Sequence, residues 1–276
     1  MKVHLFRMTC LTNLHVGSGD ASYGIIDNEL ERDSVLKNVP VIHASGVKGA
    51  LKEYCKSLPS QDKLTDDQIK YIFGYGDPDN PDTSTRKTEQ GNYKFFTANL
   101  LTRPLRVTEG TKSYVPATTP EIIDAFKTLA DGLGYTGLNA LMCPSVASDQ
   151  EVLSTRNGIS VEGLAVTESP ALQKATDLKS FIGDDELVLV ASMENFPFPV
   201  LARNQLENGI SQNLWYEEVV PHTSRFYFFI ITPDEKPEIY NLFREAITKT
   251  NRPVQFGGNA SIGYGYCKLE EVVPSE

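Results

Sequence analysis

Lys2-Val3-His4-Leu5-Phe6-Arg7-Met8-Thr9-Cys10-Leu11-Thr12-Asn13-Leu14-His15-Val16 carries apolar residues on both alternating faces. A strand packed on one side alternates apolar and polar residues, so this pattern suits a central strand covered on both faces. The chain then breaks at Gly17-Ser18-Gly19-Asp20. Farther on, Ser45 offers an N-cap, and Val47, Ala50, Leu51 and Tyr54 follow at the spacing of a buried helical face. The other end of the chain has the same grammar. Residues 223–232 read as a strand carrying Phe226, Tyr227, Phe228 and Phe229. Residues 234–249 read as an amphipathic helix with Ile239, Leu242, Phe243 and Ala246 inward, and a strand, a glycine-rich turn and a last strand close the chain.

A strand, helix and strand at each end predict an α+β fold, helices layered on a mostly antiparallel sheet in the manner of a ferredoxin-like fold. Between the ends, residues 62–73 read as a helix and residues 74–91 as a polar surface loop rich in Pro and Asp. Residues 93–106 look like a strand ending in a basic turn, and Thr119-Pro120-Glu121 opens a helix with Ile122, Ile123, Phe126 and Leu129 behind it. Residues 132–180 hold short strands and weak helix signals whose order the sequence leaves open, and residues 186–193 form a further strand.

A chain of 276 residues, 40% of them hydrophobic, can bury one large core, and one elaborated domain over residues 1–276 is the simplest organisation. The four cysteines Cys10, Cys55, Cys143 and Cys267 stand singly, without a CxxC pair or a His at zinc spacing, so neither a disulfide framework nor a structural zinc site is indicated, and a reducing cytoplasm fits. No leader or membrane-spanning stretch is evident, so a cytoplasmic protein is expected. The net charge of −10 argues against a general polyanion binder, unless basic residues gather on one strip. Lys48, Lys52 and Lys56 recur every four residues on the outer face of the first helix and form such a strip, although a solvated helix face explains them as well.

Two segments have the chemistry of anion binding. Ser45-Gly46-Val47-Lys48-Gly49 sets a lysine and two glycines in the first turn of a helix, where free amides and the helix dipole favour phosphate. Phe256-Gly257-Gly258-Asn259-Ala260-Ser261-Ile262-Gly263-Tyr264-Gly265-Tyr266 is dense in glycine and suits either close backbone approach or a plain turn; no nucleotide-binding lysine follows it.

Taken in order, His15-Val16-Gly17-Ser18-Gly19, Gly24-Ile25-Ile26-Asp27-Asn28, Pro40-Val41-Ile42-His43-Ala44-Ser45-Gly46-Val47-Lys48-Gly49-Ala50-Leu51 and the terminal glycine loop resemble the RAMP superfamily of CRISPR proteins. Arg203-Asn204, followed by Leu214-Trp215-Tyr216-Glu217-Glu218-Val219-Val220-Pro221, is similar to the backbone subunit of the Cmr-type (type III-B) effector, as are Phe73-Gly74, residues 91–106 and Thr118-Thr119-Pro120. The resemblance runs nearly the length of the chain.

It implies a RAMP or RRM-like modified ferredoxin fold: a palm core, an inserted lid over about residues 60–180 and a thumb-like β-hairpin over about residues 195–221. It further implies copies of the chain stacked as a filament on guide RNA, with other CRISPR effector subunits, cleaving paired single-stranded target RNA. By position, guide contact passes to Ser45, Lys48, Gly49 and Lys52, with Gly257, Gly258 and Ser261 as the facing loop and Arg203 and Trp215 on the thumb. For Trp215, a packed residue at the foot of the hairpin is favoured over direct stacking on a base.

The catalytic position of such subunits is an acid in the loop after the first strand, which Asp27 matches. It would assist attack by the RNA 2′-hydroxyl, leaving a 2′,3′-cyclic phosphate, and would bind Mg²⁺ or another divalent cation weakly. Asp20, Glu29, Glu31 and Asp33 compete for the role, His15 and His43 read as packed histidines, and Glu217 and Glu218 as structural acids. Two other readings stay open. One is a non-catalytic or Csm-type scaffold, the other a stand-alone RAMP nuclease that processes precursor guide RNA.

Overall fold

A computed structural model of the chain describes residues 1–19, 25–59, 62–76, 88–138, 141, 143–249 and 251–273. Its centre is β1 (Lys2–Cys10), followed by α1 (Ala44–Ser57), α2 (Asp66–Phe73), β2 (Ala98–Glu109), β3 (Tyr114–Thr118), α3 (Pro120–Leu133) and β4 (Val188–Val190). A hairpin of β5 (Val200–Glu207) and β6 (Ile210–Glu218) comes next, then β7 (Arg225–Thr232), α4 (Pro237–Ile247), β8 (Val254–Gln255) and β9 (Tyr266–Val272).

β1 pairs antiparallel with β7 on one side and β9 on the other, and β7 pairs antiparallel with β2. The order β9-β1-β7-β2, with α1 after β1 and α4 after β7, is the ferredoxin-like βαββαβ arrangement, as expected. The first strand ends six residues earlier than the apolar pattern suggested, because beyond Cys10 the chain leaves the β7 ladder and makes only an isolated bridge, Leu14 to Val220.

The strands lack alternation because both sheet faces are covered. Phe6 and Met8 of β1 and Phe226, Phe228 and Ile230 of β7 pack with Val47, Leu51 and Cys55 of α1 and Ile239, Phe243 and Ile247 of α4. The opposite residues, Leu5, Tyr227 and Phe229, pack with Ile123 and Phe126 of α3 and with Leu172, Leu178, Phe181 and Ile182. Leu242, expected inward, is 47% exposed; Tyr240 and Ile247 take the buried face of α4 instead. The predicted helix of residues 62–73 is confined to α2, which starts at a capping box between Thr65 and Gln68. Thr119 caps α3 through the Ile122 amide, with Pro120 in the first turn.

The stretch that the sequence left unordered extends the sheet past β2. β3 and β4 pair in parallel, residues 152–154, 164–168 and 160–161 continue the sheet, and residues 160–161 return to β2, so that part of the sheet closes on itself. The predicted 186–193 strand contracts to β4, since Met193 already belongs to a 3₁₀ turn. In the predicted 74–91 loop, Gly74–Gly76 pairs with Thr88–Gln90, and residues 77–87 lie outside the described residues.

β5 and β6 form a separate two-stranded sheet. Asn208 (φ 51°) and Gly209 (φ 81°) make its two-residue turn, whose positive φ values match the twist of the strands. At its root, buried Arg103 of β2 donates to the carbonyls of Phe196 and Pro197, and its guanidinium lies 4.0 Å from the Phe198 ring centroid. No described helix is long and apolar enough to cross a membrane.

Candidate nucleic-acid interface

Past β1, three separate segments meet on residues 15–18. The His15 carbonyl accepts the Gly258 amide at 3.0 Å, and the Val16 carbonyl accepts the Glu31 amide at 2.7 Å. The His15 ring Nδ1 lies 2.7 Å from the Glu218 carbonyl at the end of β6. The glycine-rich loop, the foot of the hairpin and the loop carrying Asp27 therefore share one anchor. His15 is buried and hydrogen-bonded, as its apolar context predicted.

Asp27 is exposed, and it is held in place. Its Oδ2 accepts the Tyr216 amide at 2.8 Å, while the Tyr216 carbonyl accepts the amides of Asp27 and Asn28, each at 3.1 Å. The Glu218 amide donates to the Asn28 carbonyl at 3.0 Å, so this segment lies along the foot of β6 as an added parallel bridge. Below it, Arg32 Nη2 reaches both carboxylate oxygens of Glu218 at 2.7 Å, and the Leu30 amide donates to Glu218 Oε2 at 3.2 Å. Asp27 Oδ1 has no hydrogen-bond partner among the described residues.

The neighbouring acids differ from Asp27 in their surroundings. Asp33 Oδ1 accepts the amides of Val35 and Leu36 at 2.7 and 2.8 Å, and Glu31 lies 3.2 Å from His43 Nε2. Glu29 is half-buried, and Asp20 lies outside the described residues, as does Gly24. The expectation of a packed His43 fails: its side chain is 61% exposed because it flanks the start of α1.

The glycine-rich loop owes its glycines to close backbone approach. A Cβ on Gly257 (φ +72°) would sit 2.2 Å from the His15 carbonyl oxygen, and one on Gly265 (φ +76°) 1.8 Å from that of Phe256. The Gly258 amide is already engaged, so the loop does not offer a row of free amides. Gln255 Nε2 lies within 3.0–3.4 Å of the carbonyls of Phe256, Gly257, Gly258 and Tyr264, filling the loop's interior with a donor. Ser261 is exposed on the outer 3₁₀ turn.

Two contacts tie this loop to the hairpin. Asn259 Nδ2 donates to Glu217 Oε1 at 2.7 Å, and Arg203 Nη1 donates to the Tyr264 hydroxyl at 3.2 Å. Arg203 is thus engaged within the chain, 3.7 Å from Glu217 Oε2, rather than projecting freely. Trp215 is half-buried directly across from it in the β5–β6 register. Nearer the tip, Leu206, Ile210 and Leu214 are all more than half exposed.

α1 begins one residue before the predicted cap. His43 occupies the cap position without a side-chain hydrogen bond, and Ser45 lies inside the first turn, exposed. Lys48 and Lys52 are half-buried and form no ion pair with any described residue, whereas Lys56 pairs with Glu53 at 2.8 Å. Gly46 and Gly49 face Gly257 across a cleft of about 990 Å³ that is also walled by Tyr54, Arg252 and Tyr266.

For a divalent cation, a carboxylate is the right class of donor. With Oδ2 bound to Tyr216, Asp27 offers one oxygen, and no group of three or more His, Cys, Asp or Glu among the described residues is arranged to hold a metal. Any ion at Asp27 would need ligands from beyond these side chains.

Sequence reasoning missed Tyr216, Arg32 and Asn259. The available signal was the pair Glu217-Glu218 directly before Val219-Val220. Both acids are almost fully buried, and buried carboxylates demand partners from elsewhere in the chain.

A family model described as the RAMP superfamily matches residues 7–268. The chain is 26% identical over 297 residues to the CRISPR system Cmr endoribonuclease Cmr4 of Pyrococcus furiosus, covering 98% of this chain and 95% of that protein. Its fold is similar to a chain in the cryo-EM structure of the type III-B Cmr-beta bound to cognate target RNA (TM-score 0.71, 22% identity, 98% of this chain and 97% of that one). It is also similar to oligomeric Cmr4 from Pyrococcus furiosus (TM-score 0.65, 20% identity, 99% and 100% covered).

Proposed function

This chain belongs to the RAMP superfamily, and we propose that within it the protein is the backbone subunit of a type III-B CRISPR ribonucleoprotein in the cytoplasm, an endoribonuclease that cleaves target RNA paired to the guide. The relative named a Cmr endoribonuclease, which aligns with almost the whole chain, supports the assignment. So does the solved Cmr-beta structure with target RNA. Copies of the chain stack along the guide with the other effector subunits. Each contributes a palm, a lid over about residues 60–180 and a thumb over about residues 195–221.

The observation that carries the catalytic reading is the clamp of exposed Asp27 on Tyr216, which engages Oδ2 and leaves Oδ1 without a hydrogen-bond partner among the described residues at the root of the thumb. Apolar Leu206, Ile210 and Leu214 on the thumb suit insertion between bases, and the free amines of Lys48 and Lys52 suit the guide phosphates. With Ser45, Gly49, Gly257, Gly258 and Ser261 on the two sides of the groove and Arg203 and Trp215 at the thumb root, the guide would run past Asp27.

The chemistry needs no protein nucleophile. A target nucleotide displaced at the thumb aligns its 2′-hydroxyl with the adjacent phosphorus. Asp27 Oδ1 orients that hydroxyl and takes its proton as the O2′–P bond forms and the P–O5′ bond breaks. The products are a 2′,3′-cyclic phosphate and a 5′-hydroxyl, whose proton comes from solvent. Alternatively, Asp27 would hold a divalent ion such as Mg²⁺ in place of accepting the proton, and the ion would supply charge neutralisation at the phosphate.

A target RNA carrying a single 2′-deoxy nucleotide at a cleavage position tests the reading. Cleavage should stop at that position alone, with cyclic phosphate ends at the others; cutting at the deoxy position overturns the mechanism.

A further inference from the structure

We infer that Asn259 is a positioning residue for Asp27, acting from the glycine-rich loop through Glu217 and the Tyr216 peptide group. The inference rests on the reading of Asp27 as the RNA-cleaving carboxylate. Glu217 is only 3% exposed. Its Oε1 accepts from Asn259 Nδ2 at 2.7 Å, while its Oε2 is buried with no hydrogen-bond partner among the described residues. Arg203 Nη1 stands 3.7 Å from Oε2 and His15 Nε2 3.8 Å from Oε1, both beyond hydrogen-bond length. Among the described residues, the Asn259 amide is therefore the one hydrogen-bond donor to this buried carboxylate, and a buried charge held by one hydrogen bond is costly to release.

What Asn259 fixes lies one residue from what holds Asp27. The Tyr216 amide donates to Asp27 Oδ2, and the Tyr216 carbonyl takes the amides of Asp27 and Asn28. Displacing Glu217 turns the Tyr216–Glu217 peptide group and with it the carbonyl that accepts the Asp27 and Asn28 amides, and shifts Tyr216, whose own N–H in the preceding peptide group donates to Asp27 Oδ2. The loop facing α1 across the cleft is thus joined to the carboxylate at the root of the thumb by Asn259, Glu217 and Tyr216 in sequence.

The choice of asparagine answers two demands at this position. Its backbone is left-handed (φ 61°, ψ 29°), a conformation asparagine tolerates better than most residues. Its carbonyl accepts the amides of Ile262 and Tyr264 at 3.1 and 3.2 Å, so the backbone is the pivot of the loop while the side chain supplies the donor. Glycine keeps the pivot and deletes the donor. Aspartate keeps the shape and sets two carboxylates against each other.

The test uses the complex reconstituted on guide RNA and measures guide affinity, target affinity and the single-turnover cleavage rate. Asn259→Gly should leave both affinities within about twofold and slow cleavage about tenfold, the expected loss for one hydrogen bond to a charged group. Asn259→Asp should be slower still, and Asn259→Asp combined with Glu217→Gln, which restores the hydrogen bond with donor and acceptor exchanged, should recover rate above either single variant. Wild-type cleavage by Asn259→Gly, an equal fall in guide affinity and rate, or no recovery in the double variant each overturns the inference. Asp27→Ala in the same series separates the two claims. Full cleavage by that variant removes the functional reading itself, whereas its loss alongside an unaffected Asn259→Gly removes only the role of Asn259.

Discussion

The backbone amide of Tyr216 donates to Asp27 Oδ2 at 2.8 Å, joining a residue from the loop after the first strand to one 189 positions later at the foot of the hairpin. A loop carboxylate gains a fixed direction only by such a bond, and fixed direction is what general-base assistance requires. The surrounding structure makes that geometry testable from several sides.

Gly257 and Gly258 are adjacent but differ in what they can tolerate. Gly257→Ala meets the His15 carbonyl in a left-handed conformation and should cost about 1–3 kcal/mol or more in stability, with weaker guide binding. At Gly258 the nearest atom to an added Cβ is 4.0 Å away, so Gly258→Ala should unfold within about 0.5 kcal/mol of wild type. Denaturant titration of the two variants checks the contrast; equal stability would contradict it.

Arg32 neutralises Glu218, whose side chain is 5% exposed. Arg32→Ala strands that carboxylate and should cost about 3 kcal/mol, whereas Lys56→Ala, which breaks an exposed pair with Glu53, should cost under about 1 kcal/mol. Thermal unfolding of both variants measures the difference.

Acid sensitivity should trace in part to Glu271. Burial works to raise its carboxyl, but hydrogen bonds from His4 and Tyr240 and the nearby Arg244 outweigh burial and hold it below the usual carboxylate range. A depressed native value contributes stability that is fully present above the ordinary Glu value of about 4.3 and is lost as pH falls through the native value. Glu271→Gln should therefore flatten the acid limb of a plot of unfolding temperature against pH. An unchanged limb would assign the sensitivity to other acids.

The layered core was legible because Phe226 to Phe229 and residues 2–10 lack alternation, and only a sheet covered on both faces explains that. The length of the first strand was not, because the backbone past Cys10 hydrogen-bonds to Tyr266, Val220 and the glycine loop instead of extending the ladder. The hairpin was legible as a segment, and Asn208-Gly209 marks its turn. In the sequence, the proposal of Asp27 as the cutting residue rests on family resemblance alone. The clamp on Asp27 was not legible, since Tyr216 contributes through its backbone and no side-chain pattern announces that. Ser45 misled as a cap because helix starts depend on backbone geometry as well as on residue type, and His43 holds the cap position.

The most direct test is the single-turnover rate of target RNA cleavage by the guide-loaded complex carrying Asp27→Ala. Loss of at least about 100-fold in rate, with guide and target affinity unchanged, is expected for removal of a general base. Cleavage at the wild-type rate would contradict the assignment of Asp27 as the residue that cuts RNA.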